Sequence, residues 1–336
     1  MCIRDRLTLL YPIAAVIVGF IAVVWGADRF VYGSAGLARN LGVSRLVVGL
    51  TIVAFGTSAP EMLVSGMAAA AGSPEMGIGN AIGSNITNVT LVLGAAAIVS
   101  PISVHSRLLL REIPILLLAM AMAWAFLWDE ELTRVEGLAL FAGLVAVAAW
   151  LTFAALRDQA GDADALTEGL EDDEIPDALP QTRAVGLFAI GLICLLVGSR
   201  VLVWGASGIA RDLGVSELVV GLTLVALGTS LPELAASVAA ARRGEDDIAI
   251  GNVVGSNIFN LQGVLALPGV IAPGAVDRSV MVRDVPIMVG TALLMLFMVV
   301  SRQSQLGRKR GGVLIALFVA YFVMLFLYPS LGAAPS

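Results

Sequence analysis

The chain of 336 residues is 58% hydrophobic and only 14% charged, with a mean hydropathy of +0.93 and a formal net charge of −6. Soluble domains carry about 25% charged residues, so this composition excludes a cytosolic enzyme, a nucleic-acid-binding protein and a disordered scaffold. The apolar runs are continuous rather than alternating, which predicts an all-α integral membrane protein and not a barrel.

Ten apolar segments follow one another along the chain, each near the roughly 20 residues that a membrane-spanning helix needs. They cover residues 9–32, 46–71, 76–100, 108–128, 135–156, 184–206, 218–241, 248–272, 281–301 and 311–329. Clusters of Gly, Pro and charged residues separate the segments. We therefore predict ten transmembrane helices.

A single long hydrophilic connection divides these segments into five and five. Between Asp158 and Asp177 the chain has nine acidic residues and no basic one. The acidic pI of about 4.9 therefore describes this loop and not the membrane body. We predict a first five-helix unit at residues 7–157, an acidic linker at 158–181 and a second five-helix unit at 182–330.

The two units are repeats of each other. At an offset of 172, residues 33–94 align with residues 205–266 without a gap, and 35 of these 62 positions are identical. Each unit has five spans, an odd number, so two units in series enter the membrane from opposite sides. The predicted fold is two inverted-topology five-helix repeats, an arrangement typical of secondary transporters.

Basic residues indicate how this fold is oriented. With the N-terminus outside, the inside loops hold twelve basic residues and the outside loops hold six. Cytoplasmic loops are enriched in Lys and Arg. We expect both termini outside and the acidic linker in the cytoplasm.

Two glutamates, Glu61 and Glu233, are the only carboxylates that we expect deep in the apolar body. An ionisable group at that depth is costly and favours a functional role. A structural ion pair would need a basic partner, and only Arg29 and Arg200 could lie near membrane depth. Neither arginine occurs at the same place in both repeats, whereas the glutamates do.

The residues around each glutamate extend a polar helix face. Thr57 and Ser58 lie four and three residues before Glu61, and Ser65 lies four after it, which places them on one face. The second repeat has the same pattern at Thr229, Ser230, Glu233 and Ser237.

A helix break is predicted beside each glutamate. Pro60 and Pro232 each lack a backbone donor and clash with a carbonyl about one turn earlier. We expect both helices to be broken there, with the carbonyls of Ala54 and Ala226 turned inward. Unwound backbone at membrane depth is tolerated where it lines a site.

A second repeated motif adds an amide–hydroxyl–amide stripe. Its residues stand at i, i+4 and i+8, on one helix face. They are Asn80, Ser84 and Asn88 in the first repeat and Asn252, Ser256 and Asn260 in the second. Such a stripe exceeds what helix packing needs, whereas we expect Asn85 and Asn257 to make structural hydrogen bonds.

The candidate ligand atoms are all oxygens, which favours a hard cation over copper or zinc. Calcium accepts six to eight oxygens in flexible geometry, whereas magnesium demands near-octahedral coordination. Two carboxylates are neutralised by one calcium ion, by two or three sodium ions, or by two protons. Occupants that share these ligands exclude one another, and an empty, doubly charged site is reluctant to cross a barrier. These are the requirements of an antiporter.

The repeated Gly-Thr-Ser-x-Pro-Glu and Gly-Asn-x-x-Gly-Ser-Asn-Ile-x-Asn motifs, at residues 49–94 and 221–266, closely resemble the alpha-repeats of the calcium/cation antiporter superfamily, in particular prokaryotic sodium/calcium exchangers. The resemblance implies a ten-helix fold with a central diamond of ion sites between the second, third, seventh and eighth spans. It implies that Glu61 and Glu233 are the main calcium ligands and that Asn88 and Asn260 complete the diamond. The implied sodium ligands are Thr57, Ser58, Ser84, Thr229, Ser230, Ser256 and the carbonyls of Ala54 and Ala226.

We therefore expect a sodium/calcium antiporter that works by alternating access in the plasma (inner) membrane of a prokaryote, with its first and sixth spans sliding as gates. Calcium, sodium and the bilayer are its expected partners; no cofactor and no nucleic acid are expected, and the chain is expected to be monomeric. Some family members have Asp at the position of the neutral Asn260, and its absence favours sodium over protons as the coupling ion. The alternatives are a proton/calcium exchanger of the same fold and a passive cation channel.

Overall fold

The computed structural model describes residues 3–103, 106–161, 179–213, 226–300 and 305–327. Within these ranges the chain is helical apart from four two-residue strands and short connections. Most of the predicted acidic linker, residues 162–178, lies outside the described residues. Residues 214–225, which include the start of the second repeat motif, lie outside them as well.

The described helices are numbered in chain order. They are α1 (Ile3–Leu41), α2 (Arg45–Ala70), α3 (Pro74–Val99), α4 (Ser106–Phe126), α5 (Arg134–Gly161), α6 (Gln181–Asp212), α7 (Ala226–Thr229 and Leu231–Arg242), α8 (Asp246–Ile271), α9 (Val280–Asp284, continued by Val285–Val300) and α10 (Arg308–Leu327). Seven of them, α1, α2, α3, α5, α6, α8 and α9, are long and apolar enough to cross a bilayer. The molecule is an all-helical integral membrane protein.

Helices α1 and α6 extend well past the apolar segments that predicted them. The 39 residues of α1 and the 32 residues of α6 exceed the length of a perpendicular span. Helix α1, for example, continues through the polar residues Arg39 and Asn40, which are compatible with helical backbone outside the hydrocarbon. Hydropathy marks the apolar core of a helix and not its ends.

A seam of glycines joins α1 to α6 in antiparallel contact. Gly19 faces Leu202, Gly26 faces Leu195 and Gly33 faces Phe188. A Cβ atom at Gly26 would lie 2.7 Å from the backbone nitrogen of Leu195. The glycines of α6 that face α1 are Gly191, Gly198 and Gly205, also spaced by seven. Only glycine permits such a close approach, so α1 and α6 pack backbone against backbone.

Helices α2 and α8 pack in parallel through a similar contact. A Cβ atom at Gly49 would lie 3.1 Å from the Cα of Gly251, and one at Gly251 would lie 2.8 Å from the carbonyl oxygen of Leu46. Each of these glycines has a counterpart in the other repeat at the offset of 172, Gly221 for Gly49 and Gly79 for Gly251. The repeated glycines thus bring the two repeats together where the candidate ligands lie.

Among the described residues, four π-helical turns interrupt or begin the α-helices. Two of them begin at repeat-equivalent asparagines and cover Asn88–Val92 and Asn260–Val264. The backbone N–H of Leu265 donates to the carbonyl of Asn260, five residues earlier, over 2.9 Å. Such turns are rare in proteins as a whole, but those that occur often lie at functional sites. Neither the polar stripe nor its spacing predicted them.

Four two-residue strands connect loops from different halves of the chain. Strand β1 (Ile102–Ser103) pairs antiparallel with β4 (Gln305–Leu306), and β2 (Glu131–Leu132) pairs antiparallel with β3 (Gly274–Ala275). The starts of β1 and β3 are 172 residues apart, the offset found in the sequence. Each strand pair therefore joins a loop of the first half to a loop of the second.

The predicted helix breaks occur in only one repeat. Residues Ala54–Ala70 form one α-helix that includes Pro60, so the break expected there is wrong. A proline removes only one main-chain hydrogen bond, and the flanking residues keep the helical course. The second repeat is interrupted at Ser230, with φ −88° and ψ 4°, directly before Leu231. Identical motifs therefore adopt two different backbone conformations.

The expectation that two glutamates alone lie deep in the body is also wrong. Glu112 in α4 and Asp284 in α9 are buried, with 4% and 7% of their surfaces exposed. Asp284 accepts hydrogen bonds of 2.8 and 2.9 Å from the adjacent Arg283 and one of 3.1 Å from the hydroxyl of Tyr321. A repeated pattern in the sequence marks these two acidic residues: Arg111-Glu112-x-Pro114 recurs as Arg283-Asp284-x-Pro286 at the same offset of 172.

Candidate ion-binding site

The two repeated glutamates lie in the same buried region. Glu61 and Glu233 are each 1% exposed, and they are close enough for their carboxylates to repel each other. None of the ion pairs found among the described residues involves either glutamate. This places two acidic groups in the interior without a basic residue to balance them, and such groups need a cation or protons.

Hydroxyl groups of the opposite repeat approach each glutamate. Ser58 donates a hydrogen bond of 3.1 Å to Oε1 of Glu233. Thr229 and Ser230 lie beside Glu61 in the same crossed way, although neither carboxylate oxygen of Glu61 makes a hydrogen bond of normal geometry. The site is therefore formed between the repeats and does not belong to either one.

Several buried polar atoms of the candidate ligands have no hydrogen-bond partner among the described residues. The atoms are Oε1 and Oε2 of Glu61, Oε2 of Glu233, and both side-chain polar atoms of Asn88 and of Asn260. Buried polar groups in native proteins are nearly always satisfied, so a group of unsatisfied oxygens needs an explanation. A desolvated hard cation provides one, because carboxylate and amide oxygens are ligands that calcium and sodium accept.

The remaining predicted ligands lie around this group. Ala54, Thr57, Ser58, Ser84, Thr229, Ser230 and Ser256 are all buried, with between 0% and 9% of their surfaces exposed. Thr57 Oγ1 lies 3.3 Å from the carbonyl of Ala54 and 3.4 Å from Ser256 Oγ. Ala226 is the first residue of the short helical turn Ala226–Thr229, and the side chains that the structure describes do not include it.

The side chains of three other polar residues of the repeated motifs make no hydrogen bond to a proposed ligand among the described residues. Ser65, expected on the face of Glu61, donates instead to the carbonyl of Val264 over 2.9 Å. Asn85 donates to the carbonyl of Ala81 over 2.8 Å, as expected of a structural asparagine. Asn257 makes no side-chain hydrogen bond within the described residues, so its expected structural role stays a prediction.

Two residues of the stripe that were not predicted as ligands contact the backbone of the glutamates. The amide of Asn80 donates to the carbonyl of Glu61 over 3.2 Å, and the amide of Asn252 donates to the carbonyl of Glu233 over 3.3 Å. The i, i+4, i+8 spacing placed these asparagines on the correct face. It could not show that their amides are directed at main-chain carbonyls.

The donor set fits a hard cation. Among the described residues, no cluster of three or more His, Cys, Asp or Glu side chains could hold a metal ion. The two carboxylates are surrounded instead by neutral hydroxyl, amide and carbonyl oxygens. A site of this kind binds an alkali or alkaline-earth ion without the thiolates and imidazoles that hold zinc or copper.

Comparison with known proteins gives a consistent family. The family model for "Sodium/calcium exchanger protein" matches residues 11–153 and 183–327. The chain is 43% identical to the "Putative antiporter CaxA" of Alkalimonas amylolytica, over 93% of this chain and 97% of the relative. It is 33% identical to the "Sodium/calcium exchanger MaX1" of Methanosarcina acetivorans, over 92% of this chain and 97% of the relative.

The solved structures give the same result. The structure of the sodium-calcium exchanger NCX_Mj soaked with 10 mM Na+ and zero Ca2+ superposes with a TM-score of 0.80 at 35% sequence identity. The superposition covers 94% of this chain and 99% of that one. The fold is therefore shared along nearly the whole length, and it includes both halves of the candidate site.

Proposed function

Because the chain belongs to the sodium/calcium exchanger family, and is therefore a membrane cation exchanger and not an enzyme, we propose that it exchanges calcium for sodium by alternating access. The observation that carries this proposal is the pair of buried glutamates, Glu61 and Glu233, which have unsatisfied oxygens and are linked by Ser58, a residue of the first repeat that contacts Glu233. One calcium ion balances both carboxylates, and sodium ions that use the same oxygens displace it.

The proposed ligands keep the roles that the family resemblance implies. Glu61 and Glu233 bind calcium, and Asn88 and Asn260 complete the centre. The hydroxyls and carbonyls around them, from Thr57, Ser58, Ser84, Thr229, Ser230, Ser256, Ala54 and Ala226, serve sodium. The burial of the described side chains among them, which do not include Ala226, supports the assignment.

The proposed architecture is ten membrane-crossing helices in two inverted five-helix repeats. The offset of 172 that relates β1 to β3, and the antiparallel contact of α1 with α6, support it. The basic residues favour termini on the outside and the acidic linker in the cytoplasm, in a plasma (inner) membrane. We propose that the monomer is the working unit, because the ligands of one site all come from one chain.

Alternating access requires elements that move past the site. The α1–α6 pair suits this role, because its glycine seam makes it one body and it packs against the helices of the site. A Cβ at Gly56 would touch the side chains of Leu192 and Phe30, from α6 and α1. A movement of the pair would therefore change access to Glu61 from one side.

The direct test is calcium uptake into proteoliposomes driven by an outward sodium gradient. Uptake is expected with the sodium gradient and not with an equal potassium gradient. If a pH gradient drives uptake and a sodium gradient does not, the proton-coupled exchanger replaces this proposal. Calcium flux that needs no counter-ion would show a passive channel. With three sodium ions per calcium, each cycle also carries one net positive charge, so uptake should respond to membrane voltage.

A further inference from the structure

Asn252 is a fully buried residue that touches ion ligands of both repeats. Its Nδ2 donates to the carbonyl of Glu233 over 3.3 Å and to the hydroxyl of Ser237 over 2.9 Å. Its Oδ1 accepts a hydrogen bond of 3.1 Å from Thr57 Oγ1. All the hydrogen-bonding groups of this amide are therefore engaged, with 0% of the residue exposed.

The chemistry of these partners fixes the direction of each hydrogen bond. The carbonyl of Glu233 can only accept, so the NH2 group of Asn252 must face it and the amide oxygen must face Thr57. An amide oxygen also can only accept, and Asn252 Oδ1 at 3.1 Å is nearer to Thr57 Oγ1 than the carbonyl of Ala54 at 3.3 Å, so Thr57 donates its one hydroxyl hydrogen to Asn252. The lone pairs of Thr57 Oγ1 are then available to a cation or to the hydroxyl of Ser256, 3.4 Å away.

The equivalent residue of the first repeat, Asn80, makes fewer hydrogen bonds than Asn252. Asn80 is partly exposed and donates one hydrogen bond, to the carbonyl of Glu61 over 3.2 Å. The serine equivalent to Ser237 is Ser65, which is bonded to Val264 and not to Asn80. Repeat symmetry thus places an asparagine at both positions, but only Asn252 is shown joining a hydroxyl of one repeat to the glutamate backbone of the other.

We propose that Asn252 is a positioning residue that couples the two halves of the ion site. It orients the hydroxyl of Thr57 so that its lone pairs face the ion, and it fixes the position of the Glu233 main chain in α7. The proposal rests on the proposed exchange function, and it goes beyond it by giving the halves of a symmetric site unequal support. Loss of this amide weakens ion binding while the transport step itself continues.

The test compares Asn252→Leu with its repeat counterpart Asn80→Leu. The initial rate of gradient-driven calcium uptake is measured against calcium concentration and normalised to the reconstituted protein. Asn252→Leu is expected to raise the KM for calcium about tenfold with a maximal rate within about twofold of the parent chain, since one hydrogen bond at a ligand is worth about a factor of ten. Asn80→Leu is expected to raise the KM less than threefold. Asn252→Ala, which adds no bulk, is the second variant and is expected to behave like Asn252→Leu.

A double-mutant cycle with Thr57→Val tests the link itself. If Asn252 acts through Thr57, Asn252→Leu raises the KM less than threefold further in the Thr57→Val background. Additive effects, an unchanged KM, equal effects of the two asparagine variants, or a loss of maximal rate at constant KM would each overturn the proposal. These outcomes differ from a failure of the proposed function, in which the parent chain itself shows no exchange. If protons are the coupling ion, the same KM values are read with a pH gradient.

A second readout does not depend on transport. In detergent, calcium should raise the thermal unfolding midpoint of the parent chain, because a ligand that binds only the folded state stabilises it. The calcium concentration that gives half of this shift should increase about tenfold for Asn252→Leu. An unchanged concentration would contradict a role in positioning ligands.

Discussion

Ser58 donates a hydrogen bond of 3.1 Å to Oε1 of Glu233, a residue 175 positions further along the chain. The hydroxyl belongs to the first repeat and the carboxylate to the second. A hydroxyl of the first repeat thus contributes to the polar environment of a carboxylate of the second, and Ser58 and Glu233 are both almost fully buried. An ion bound by Glu233 would therefore also affect helix α2, because Ser58 of that helix is hydrogen-bonded to the same carboxylate.

The charge of the glutamates is predicted to be essential. Glu61→Gln and Glu233→Gln keep the shape of the side chain and remove one of the two buried charges. Each variant should lower sodium-driven calcium uptake at least about 100-fold, equivalent to about 2.7 kcal/mol. Size-exclusion profiles should match those of the parent chain. Appreciable uptake by either glutamine variant would contradict the assignment of these ligands.

Ser58 and Ser65 are predicted to differ although both lie one turn from Glu61. Ser58→Ala removes the donor to Glu233 and should raise the KM for calcium about 10- to 100-fold, since a hydrogen bond to a charged group is worth about 1.5–3 kcal/mol. Ser65→Ala removes only the bond to the carbonyl of Val264. It should lower the unfolding temperature slightly and change the KM less than about twofold. Similar KM values for both variants would mean that the Ser58 contact is not part of the site.

The glycine seam between α1 and α6 should tolerate no side chain. In Gly26→Ala, the new Cβ would lie 2.7 Å from the backbone nitrogen of Leu195, so the helices must separate. We expect a loss of about 1–3 kcal/mol in the free energy of unfolding, as for other overpacked cores. Gly186→Ala, in α6, is the matched control, because nothing lies within 4 Å of its added Cβ. Equal unfolding temperatures for the two variants would refute the close packing.

The ion pair between Asp28 and Arg243 should bias the exchanger towards one side. Arg243 contacts Asp28 Oδ1 at 2.6 and 2.7 Å and lies 5.0 Å above the ring of Tyr32, which links α1 to the end of α7. The repeat-equivalent positions hold Arg200 and Ala71, which cannot pair. A contact that exists on one face only should favour the conformation in which it forms.

Asp28→Asn should therefore change the ratio of the calcium KM values on the two faces of oriented proteoliposomes. The pair is partly exposed, so the expected change is about two- to fivefold. Glu130→Gln, which removes a comparable exposed pair with Arg278, should leave the ratio unchanged. Restoration of the ratio by the charge-swapped Asp28→Arg, Arg243→Asp chain would support the pair itself, and an unaltered ratio in Asp28→Asn would exclude it.

The buried pair of Arg283 and Asp284 should matter for stability. Asp284→Asn removes the carboxylate that accepts two hydrogen bonds from the part-buried Arg283, and a hydrogen bond to a charged group is worth about 1.5–3 kcal/mol. Tyr321→Phe removes only the hydroxyl that donates to Asp284 over 3.1 Å and should cost about 1 kcal/mol. Thermal unfolding in detergent measures both variants. A milder loss in Asp284→Asn than in Tyr321→Phe would show that the carboxylate is not the main partner of Arg283.

The sequence predicted the helical class and the central residues because both depend on patterns that repeat. Apolar runs separated by charged turns predicted the helices, and the offset of 172 indicated which polar residues share an environment. Glu61 and Glu233 stood out because a charge in an apolar run is rare. Their mutual closeness and the crossed contact of Ser58 could not follow from a pattern within one helix, since they depend on how the repeats pack.

Other features depended on local energies that a motif does not reveal. Pro60 and Pro232 occur in the same motif, yet the backbone is helical through Pro60 and interrupted at Ser230. The π-helical turns at Asn88 and Asn260 also come from packing. Glu112 and Asp284, which are equivalent in the two repeats, were overlooked because each lies within the first two turns of its helix, where a charged side chain is expected at the membrane interface.

The crossed contacts also set a condition on biosynthesis. A nascent chain that has released only its first half carries Glu61 and Ser58 but lacks Thr229, Ser230 and Glu233, which lie beside them in the folded protein. Strand β1 likewise lacks its partner until Gln305 and Leu306 have been made. Assembly of the ion site should therefore be one of the last steps of folding, and the two halves, expressed as separate polypeptides, should bind calcium only after they have met in the membrane with opposite orientations.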